Sequence, residues 1–280
     1  MTDQSTSAVP TIGVFDSGFG GLTVLRALIE QLPRARFAFL GDTARLPYGS
    51  KSRRTIARYA VQSAQFLVRE QGAEFLVIAC NTASALALDA IQDAVPVPVL
   101  GVIEPGAEAA RAASRTSDVL VVATEATVQS HAYAAACRAQ GLRALEKACP
   151  LLVPLVEEGW TSHPVTAEVI EIYLQELRAE AAATDMNPDT LVLGCTHYPL
   201  LRRIFEGAVR PGAKVIDSAE AVAQSAVRLF NVRATAAAGG SAAETEVRCF
   251  ATDSVEKFER LGSRFLDRPV GRVELIDLGG

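Results

Sequence analysis

The sequence has no surplus of basic residues. Lysine and arginine total 27 against 32 aspartates and glutamates, so the formal net charge is −5 and the pI is near 5.4. This balance argues against a general nucleic-acid-binding protein, which would need a basic surface to meet phosphates. No stretch of about 18 apolar residues is free of charge or proline, so the sequence predicts no membrane span.

Cysteine pairs and lysine are also scarce. The five cysteines include no Cys-x-x-Cys pair, which favours a reduced, cytoplasmic protein over a disulfide scaffold. A pyridoxal enzyme needs a lysine for its Schiff base. No lysine stands beside the cysteines that end predicted strands, and a cofactor-free chemistry is therefore preferred; the lysines are Lys51, Lys147, Lys214 and Lys257.

The length of 280 residues predicts two domains. Residues 1–11 are polar and lack the features of a signal peptide, so we predict a flexible tail. A stretch rich in glycine, serine and alanine over 234–246 predicts a surface loop.

Two cysteines occur in matched surroundings. A short apolar strand ends at Cys80 and another at Cys195, and each is followed by residues typical of a helix start. Two further predicted strand ends match: Asp16 with Thr124, and Asp42 with Glu157. The separation from Asp42 to Cys80 is 38 residues (80 − 42), and from Glu157 to Cys195 it is again 38 (195 − 157). The pattern predicts a duplicated α/β unit with both cysteines in one cleft, at the carboxyl ends of parallel strands.

We expect one domain to comprise 12–103 and 214–280, and the other 104–213. The glycine-rich turn over 16–21 has no lysine for a P-loop, and Thr23 replaces the third glycine of a dinucleotide fingerprint. Asp42 does occupy the place of that fingerprint's acid, so a nucleotide-binding module stays open as an alternative.

Two thiols facing one carbon suit an inversion, because one group removes a proton and the other supplies one on the opposite face. A helix N-terminus or a neighbouring histidine can lower the pKa of a thiol. His197 stands two residues after Cys195 and could act in this way, and Asp16 could act beside Cys80.

Four motifs resemble those of the glutamate racemases, within the aspartate/glutamate racemase superfamily. They are Val-Phe-Asp-Ser-Gly-Phe-Gly-Gly (14–21), Gly-Asp-Thr-Ala-Arg-Leu-Pro-Tyr-Gly (41–49), Ala-Cys-Asn-Thr-Ala (79–83) and Gly-Cys-Thr-His-Tyr-Pro (194–199). The resemblance covers essentially 12–260. It implies two pseudo-symmetric flavodoxin-like domains, no cofactor, a homodimer, and a cytoplasmic enzyme that makes D-glutamate for peptidoglycan.

The resemblance also implies the roles of individual residues. Cys80 and Cys195 transfer protons, assisted by Asp16, His197, Glu157 and Asp42. The substrate contacts are implied to be Asp16, Ser17, Tyr48, Gly49, Asn81, Thr82, Thr196 and His197. No metal site is expected, and Cys137, Cys149 and Cys249 are interpreted as core residues.

Other functions remain open at this point. Aspartate or another acid could be the substrate. Cys80, Cys195, His197 and Asp16 could instead bind zinc in a hydrolase, although Cys-x-His is not a usual ligand spacing.

Overall fold

The computed structural model describes residues 10–230 and 245–279. The predicted tail, apart from residues 10 and 11, lies outside the described residues, as does the predicted loop over 234–246 apart from 245 and 246. The strands are β1 (Thr11–Asp16), β2 (Arg36–Gly41), β3 (Phe75–Ile78), β4 (Val99–Gly101), β5 (Asp118–Ala123), β6 (Arg143–Ala148), β7 (Thr190–Gly194), β8 (Lys214–Asp217), β9 (Val247–Ala251) and β10 (Val273–Leu275).

Helices connect the strands throughout. The α-helices are α1 (Leu22–Gln31), α2 (Arg53–Arg69), α3 (Asn81–Ala94), α4 (Ile103–Ala113), α5 (Glu125–Ser130), α6 (Ala132–Ala139), α7 (Leu152–Glu157), α8 (Pro164–Ala183), α9 (Arg202–Ala208), α10 (Ser218–Leu229) and α11 (Val255–Leu266). Among the helices of the described residues, none is both long and apolar enough to cross a membrane.

The strands form two sheets in which every pairing is parallel. One has six strands in the order β10-β9-β2-β1-β3-β4, and the other has four in the order β6-β5-β7-β8. The central strands read as apolar runs because both faces of a parallel sheet are covered by helices, and β5 and β7 are buried along their whole length. The predicted α/β class is confirmed.

The two sheets repeat one topology. The order β2-β1-β3-β4 in the larger sheet is the order β6-β5-β7-β8 in the smaller one. We call the six-stranded sheet and its helices the first unit, and the four-stranded sheet and its helices the second unit. The switch in strand order beside β1 and β5 opens a crevice at the carboxyl ends of the strands in each unit.

The predicted boundary at residue 214 is wrong for β8. This strand pairs with β7, with Lys214 opposite Thr190 and Asp217 opposite Leu193, so it completes the second unit. The chain leaves the second unit along α10, which packs against both α1 and α4. The four residues of β8 do not encode which sheet they join, and the pairing depends on the exposed edge that β7 offers.

The strand end predicted at Glu157 also needs correction. Strand β6 ends at Ala148, and Leu152–Glu157 forms the helix α7. Pro150 cannot donate a ladder hydrogen bond, and the buried residues Leu152 and Val156 are four apart, which is a helical spacing. Glu157 therefore stands at the end of a helix and not at the end of a strand.

Candidate active site

One cavity of about 400 Å³ lies where the carboxyl ends of the two sheets face each other. Both Cys80 and Cys195 line it, one from each unit. The other lining residues are Ser17, Gly18, Phe19, Leu46, Pro47, Tyr48, Gly49, Ser50, Asn81, Thr82, Thr124, Glu125, Pro150, Val153, Pro154, Glu157, Glu158, Thr196 and His197. The sequence prediction that these distant motifs meet in one cleft agrees with this geometry.

Cys80 occupies the junction between β3 and α3. It is the N-cap of α3, and its sulfur accepts a hydrogen bond from the backbone N–H of Ala83 at 3.4 Å. Its thiol donates to Oγ of Ser17 at 3.3 Å. Burial and the negative charge of Asp16 raise the pKa of the Cys80 thiol to about 12. In the free protein Cys80 is therefore a protonated donor.

Asp16 ends β1 and is almost completely buried. Oδ2 accepts a hydrogen bond from the N–H of Gly18 at 3.0 Å, whereas Oδ1 has no hydrogen-bond partner among the described residues. Burial raises the pKa of Asp16, and the charge of His197 and the backbone N–H groups oppose that rise. A buried acceptor without a partner is rare in proteins, so Asp16 is a candidate for contact with a bound polar group.

Asp42 lies behind the cavity wall. Its carboxylate accepts hydrogen bonds from Arg45, from the hydroxyl of Tyr48 and from that of Thr252. It is fully buried and does not line the cavity. In this position Asp42 fixes the Tyr48 side chain, which does line the cavity.

Cys195 follows β7 and lies beside an imidazole. Its sulfur is 4.0 Å from Nδ1 of His197. On the other side of the ring, Nε2 is 3.4 Å from Oε1 of Glu157, which is close enough for an ion pair but not aligned as a hydrogen bond. Cys195, His197 and Glu157 thus form a row along the cavity wall, since all three line the cavity.

The charges of His197 and Glu157 stabilise each other. Burial alone would lower the pKa of His197, but Cys195 and Glu157 outweigh it and raise that pKa to about 10. Burial alone would raise the pKa of Glu157, but His197 and Lys257 outweigh it and lower that pKa. At neutral pH the row therefore holds an imidazolium against a carboxylate.

The glycine-rich turn of the first unit packs directly on this row. A Cβ atom at Gly20 would lie 2.6 Å from Nδ1 of His197, closer than real Cβ contacts allow. The hydroxyl of Thr23 donates to the carbonyl of Thr196 at 3.3 Å. The turn thus needs glycine for the close approach of the two units, which explains the motif without a nucleotide.

Similarity to known proteins agrees with this geometry. The Asp/Glu/Hydantoin racemase family model matches residues 12–226. The chain belongs to the Asp/Glu/Hydantoin racemase family.

It is an amino-acid racemase. A glutamate racemase from Koribacter versatilis is 52% identical to it, over 97% of this chain and 98% of the relative. A glutamate racemase isoform from Bacillus anthracis superposes with a TM-score of 0.85 at 34% identity, over 96% of this chain and 98% of that chain. The Francisella tularensis glutamate racemase in complex with D-glutamate gives a TM-score of 0.83 at 34% identity, with the same coverage of both chains.

The racemase presents its predicted substrate contacts at the cavity in two groups. Ser17, Tyr48, Gly49, Asn81 and Thr82 come from the first unit. Thr196 and His197 come from the second unit, and Asp16 lies just behind Ser17. A Cβ at Gly49 would lie 3.2 Å from Cβ of Thr124, so this position brings the two units close together.

Three residues of the racemase site were missed by sequence reasoning. Thr124 lines the cavity, and its hydroxyl lies 3.0 Å from that of Thr82. The hydroxyl of Tyr133 donates to Oδ1 of Asn81 at 2.7 Å, and Lys257 lies 3.2 Å from Oε2 of Glu157. The strand-end match of Thr124 with Asp16 was a signal for the first, whereas Tyr133 and Lys257 lie inside helices and carry no local signal.

The amide of Asn81 is oriented by its partner. Oδ1 accepts the hydrogen bond from Tyr133, and Nδ2 is buried without a hydrogen-bond partner in the part of the chain that the structure describes. Because Asn81 lines the cavity, its free N–H groups can donate to an anionic group of a bound amino acid.

The zinc alternative finds no support in the site. Within residues 10–230 and 245–279, no group of three or more histidine, cysteine, aspartate or glutamate side chains is arranged to hold a metal ion. All five cysteines are free and buried, including Cys137, Cys149 and Cys249.

Proposed function

We propose that this enzyme is a glutamate racemase that interconverts L- and D-glutamate by two-base proton transfer, without a cofactor. The observation that carries the proposal is the placement of Cys80 and Cys195. They follow equivalent strands of two equivalent units and line one cavity. One thiol removes the Cα proton as a thiolate, and the other donates its proton to the opposite face of the planar intermediate.

The surroundings of the two cysteines support one direction of transfer in the free enzyme. Cys80 carries its proton, because its pKa is about 12. His197 places a positive charge 4.0 Å from the sulfur of Cys195, which acts as the base in this direction. The resemblance to glutamate racemases assigns deprotonation of L-glutamate to Cys195 and of D-glutamate to Cys80.

Backbone and side-chain donors hold the substrate in this mechanism. The N-terminus of α3 presents N–H groups beside Cys80, and Asn81 adds its unpartnered amide. These donors suit a substrate carboxylate, whose negative charge grows as the Cα proton leaves. The unpartnered Oδ1 of Asp16 suits the substrate ammonium group.

We propose glutamate and not aspartate as the substrate because of what the relatives are named and what one of them binds. The Koribacter and Bacillus relatives are named glutamate racemases, and the Francisella enzyme was solved with D-glutamate. The loop that carries Tyr48 and Gly49 lines the cavity and can receive the side-chain carboxylate.

The experiment is incubation of the protein with L-glutamate in deuterated water without added pyridoxal phosphate. We expect the optical rotation to decay to zero and the Cα proton to be replaced by deuterium in the product. A parallel incubation with L-aspartate serves as the control for substrate preference. Retention of the rotation and of the Cα proton would contradict the proposed function, and faster turnover of aspartate would correct the substrate.

Chelation separates the racemase from a zinc hydrolase. Racemisation should persist in EDTA, since thiol chemistry needs no metal. Loss of activity that added zinc restores would favour the hydrolase.

Further parts of the proposal concern the setting of the enzyme. We infer a cytoplasmic location from the five free thiols, and a role in supplying D-glutamate for peptidoglycan from the resemblance to glutamate racemases. We infer a homodimer on the same ground. Exposed apolar side chains in and around α7 and α8 offer a surface for it; they are Leu151, Trp160, Val165 and Ile172.

A further inference from the structure

Helix α11 of the first unit reaches across to the proton-transfer group of the second unit. The ring of Phe265 packs edge-on against His197, with ring centroids 5.1 Å apart. Helix α11 thus contacts His197 through Phe265 and contacts Glu157 through Lys257. Farther along the helix, Arg264 lies against the loop after α7, where a Cβ at Gly159 would be 2.6 Å from its guanidinium.

Glu157 depends on this helix for its orientation. Its two carboxylate oxygens have separate partners: Oε1 faces His197 at 3.4 Å, and Oε2 faces Lys257 at 3.2 Å. Among the described residues, no other side chain pairs with this carboxylate. Glu157 is the last residue of α7, which has six residues. The contact to His197 is not aligned as a hydrogen bond, so Lys257 supplies the better-formed of the two contacts.

Lys257 is itself held in place. Its ammonium group lies 5.6 Å from the centre of the Phe19 ring, and Phe19 in turn packs against His197. Its side chain is 41% exposed, compared with 19% for Glu157. The lysine therefore closes the outer end of the row, between solvent and the buried imidazole.

We propose that Lys257 is a positioning residue for proton transfer at Cys195: it fixes Glu157 across the boundary between the units, and Glu157 orients His197 beside the sulfur. The inference rests on the proposed two-base mechanism. The inference adds to that mechanism a residue of the first unit that controls the position of the base in the second unit. A shift of Glu157 misaligns His197 and slows the step at Cys195, while the step at Cys80 is unaffected.

The test uses Lys257→Met, which keeps an apolar stem over Phe19 and removes the charge. We expect kcat/KM for glutamate to fall roughly 10- to 100-fold, as for a misplacement of about 1 Å at a reacting group. Because the equilibrium constant between enantiomers is unity, kcat/KM must fall equally in both directions. Lys257→Arg should restore most of the loss, since it keeps the positive charge.

Deuterium isotope effects identify the step that is slowed. In Lys257→Met, the isotope effect on kcat/KM with 2-deuterated L-glutamate should rise, and that with 2-deuterated D-glutamate should fall. Reduced folding would lower the activity without moving either isotope effect. In a Glu157→Gln background, Lys257→Met should cause no further loss beyond about twofold, because both residues act through one contact.

Arg248→Met is the matched control. Arg248 belongs to the same unit, pairs with Glu274 at 3.1 Å, lies 5.0 Å from the centre of the Phe250 ring and is 48% exposed. Since it lines no part of the cavity, kcat/KM should stay within about twofold of the unmodified enzyme.

Several results would overturn the proposal: unchanged kcat/KM in Lys257→Met, unchanged isotope effects despite a lower kcat/KM, or losses that multiply with Glu157→Gln. A rise for the D-substrate in place of the L-substrate supports positioning by Lys257 but reverses the assignment of enantiomers to cysteines. Failure of the unmodified protein to racemise glutamate contradicts the proposed function itself and is seen before any variant is made.

Discussion

Cys80 and Cys195 follow the third strand of their units, but the charges around them differ in sign. Cys80 is the N-cap of a helix of 14 residues and stands near the carboxyl group of Asp16. Cys195 precedes a short 3₁₀ turn, Tyr198–Leu201, and stands near the imidazole of His197. The sulfur thus occupies the equivalent position in both units, while its charged neighbour differs between them.

This difference matters for the proposed mechanism, in which the two thiols hold opposite protonation states at the start of each turnover. Burial and the negative charge of Asp16 raise the pKa of the Cys80 thiol, whereas the imidazolium of His197 lies 4.0 Å from the sulfur of Cys195. In the proposed mechanism, conversion of L-glutamate starts from a protonated Cys80, whereas conversion of D-glutamate requires Cys80 to start as a thiolate.

The largest effect should follow removal of either sulfur. Cys80→Ala and Cys195→Ala should each lower racemisation by more than the roughly 100- to 10,000-fold of a single acid–base group, because one face then has no proton donor or acceptor. The activity is measured as the rate of loss of optical rotation. Cys137→Ala is the control, since Cys137 is buried outside the cavity.

The two variants should differ in what they retain. With an analogue that carries a leaving group, the protein without Cys195 should still eliminate from the D-enantiomer, and the protein without Cys80 from the L-enantiomer. Equal elimination from one enantiomer by both variants would refute the assignment of one cysteine to each face.

A smaller effect concerns the reactivity of Cys80. Its pKa of about 12 lies about 3 units above the ordinary value of 9.0, so its thiolate fraction at pH 8 is lower by on the order of 1,000-fold. We expect iodoacetamide to alkylate Cys80 much more slowly than a free cysteine, as followed by mass spectrometry of the peptides. Asp16→Asn should speed the reaction, because the negative charge of Asp16 raises this pKa.

Asp89→Asn provides the comparison for that test. Asp89 lies on α3, the helix that Cys80 caps, but its side chain is 86% exposed and is not among the causes of the pKa shift. If both variants changed the alkylation rate equally, the influence of Asp16 on Cys80 would be no more than a general change in charge.

On the other side of the cavity, the protonation of His197 should make the free energy of unfolding depend on pH. The pKa of His197 rises from 6.5 to about 10 on folding, so its contribution is fully present below pH 6.5 and is lost as the pH rises through 10. The charged His197 contributes at most on the order of a few kcal/mol to the free energy of unfolding. Urea unfolding of the unmodified protein and of His197→Asn should give free energies of unfolding that converge between pH 6.5 and 10.

Convergence in the opposite direction, as the pH falls, would mean that His197 is neutral in the folded protein.

The sequence alone predicts where the two sulfurs lie, but it does not predict which residues position the side chains around them. Asp16, Cys80 and Cys195 follow apolar strands, and the duplication aligns these strand ends on residue spacing alone. Lys257 and Glu157 are 100 residues apart, and Tyr133 and Asn81 are 52 apart. Contacts over such separations depend on how the two units dock, which no local periodicity encodes. Glu157 shows the intermediate case, because the family resemblance implied its role while the residue was predicted to end a strand and in fact ends a helix.

The smallest expected effect comes from a residue of one unit that orients a residue of the other. Tyr133→Phe keeps the ring, which packs against Gly106 and Gly194, and removes only the hydroxyl that donates to Asn81. The Asn81 amide can then rotate and withdraw its N–H groups from the cavity. One neutral hydrogen bond contributes roughly 0.5–1.5 kcal/mol, so KM should rise by about 2- to 12-fold for L- and D-glutamate alike, with kcat changed less.

Tyr173→Phe is the control in the same unit, since Tyr173 does not line the cavity and its hydroxyl accepts a hydrogen bond from the backbone of Leu151. Because Asn81 holds the substrate and transfers no proton in this mechanism, the isotope effects for the two enantiomers should stay as they are in the unmodified enzyme. A change in the isotope effect for one enantiomer only would place Tyr133 in the support of a single cysteine, and the two sides of the cavity would then differ in more than their charges.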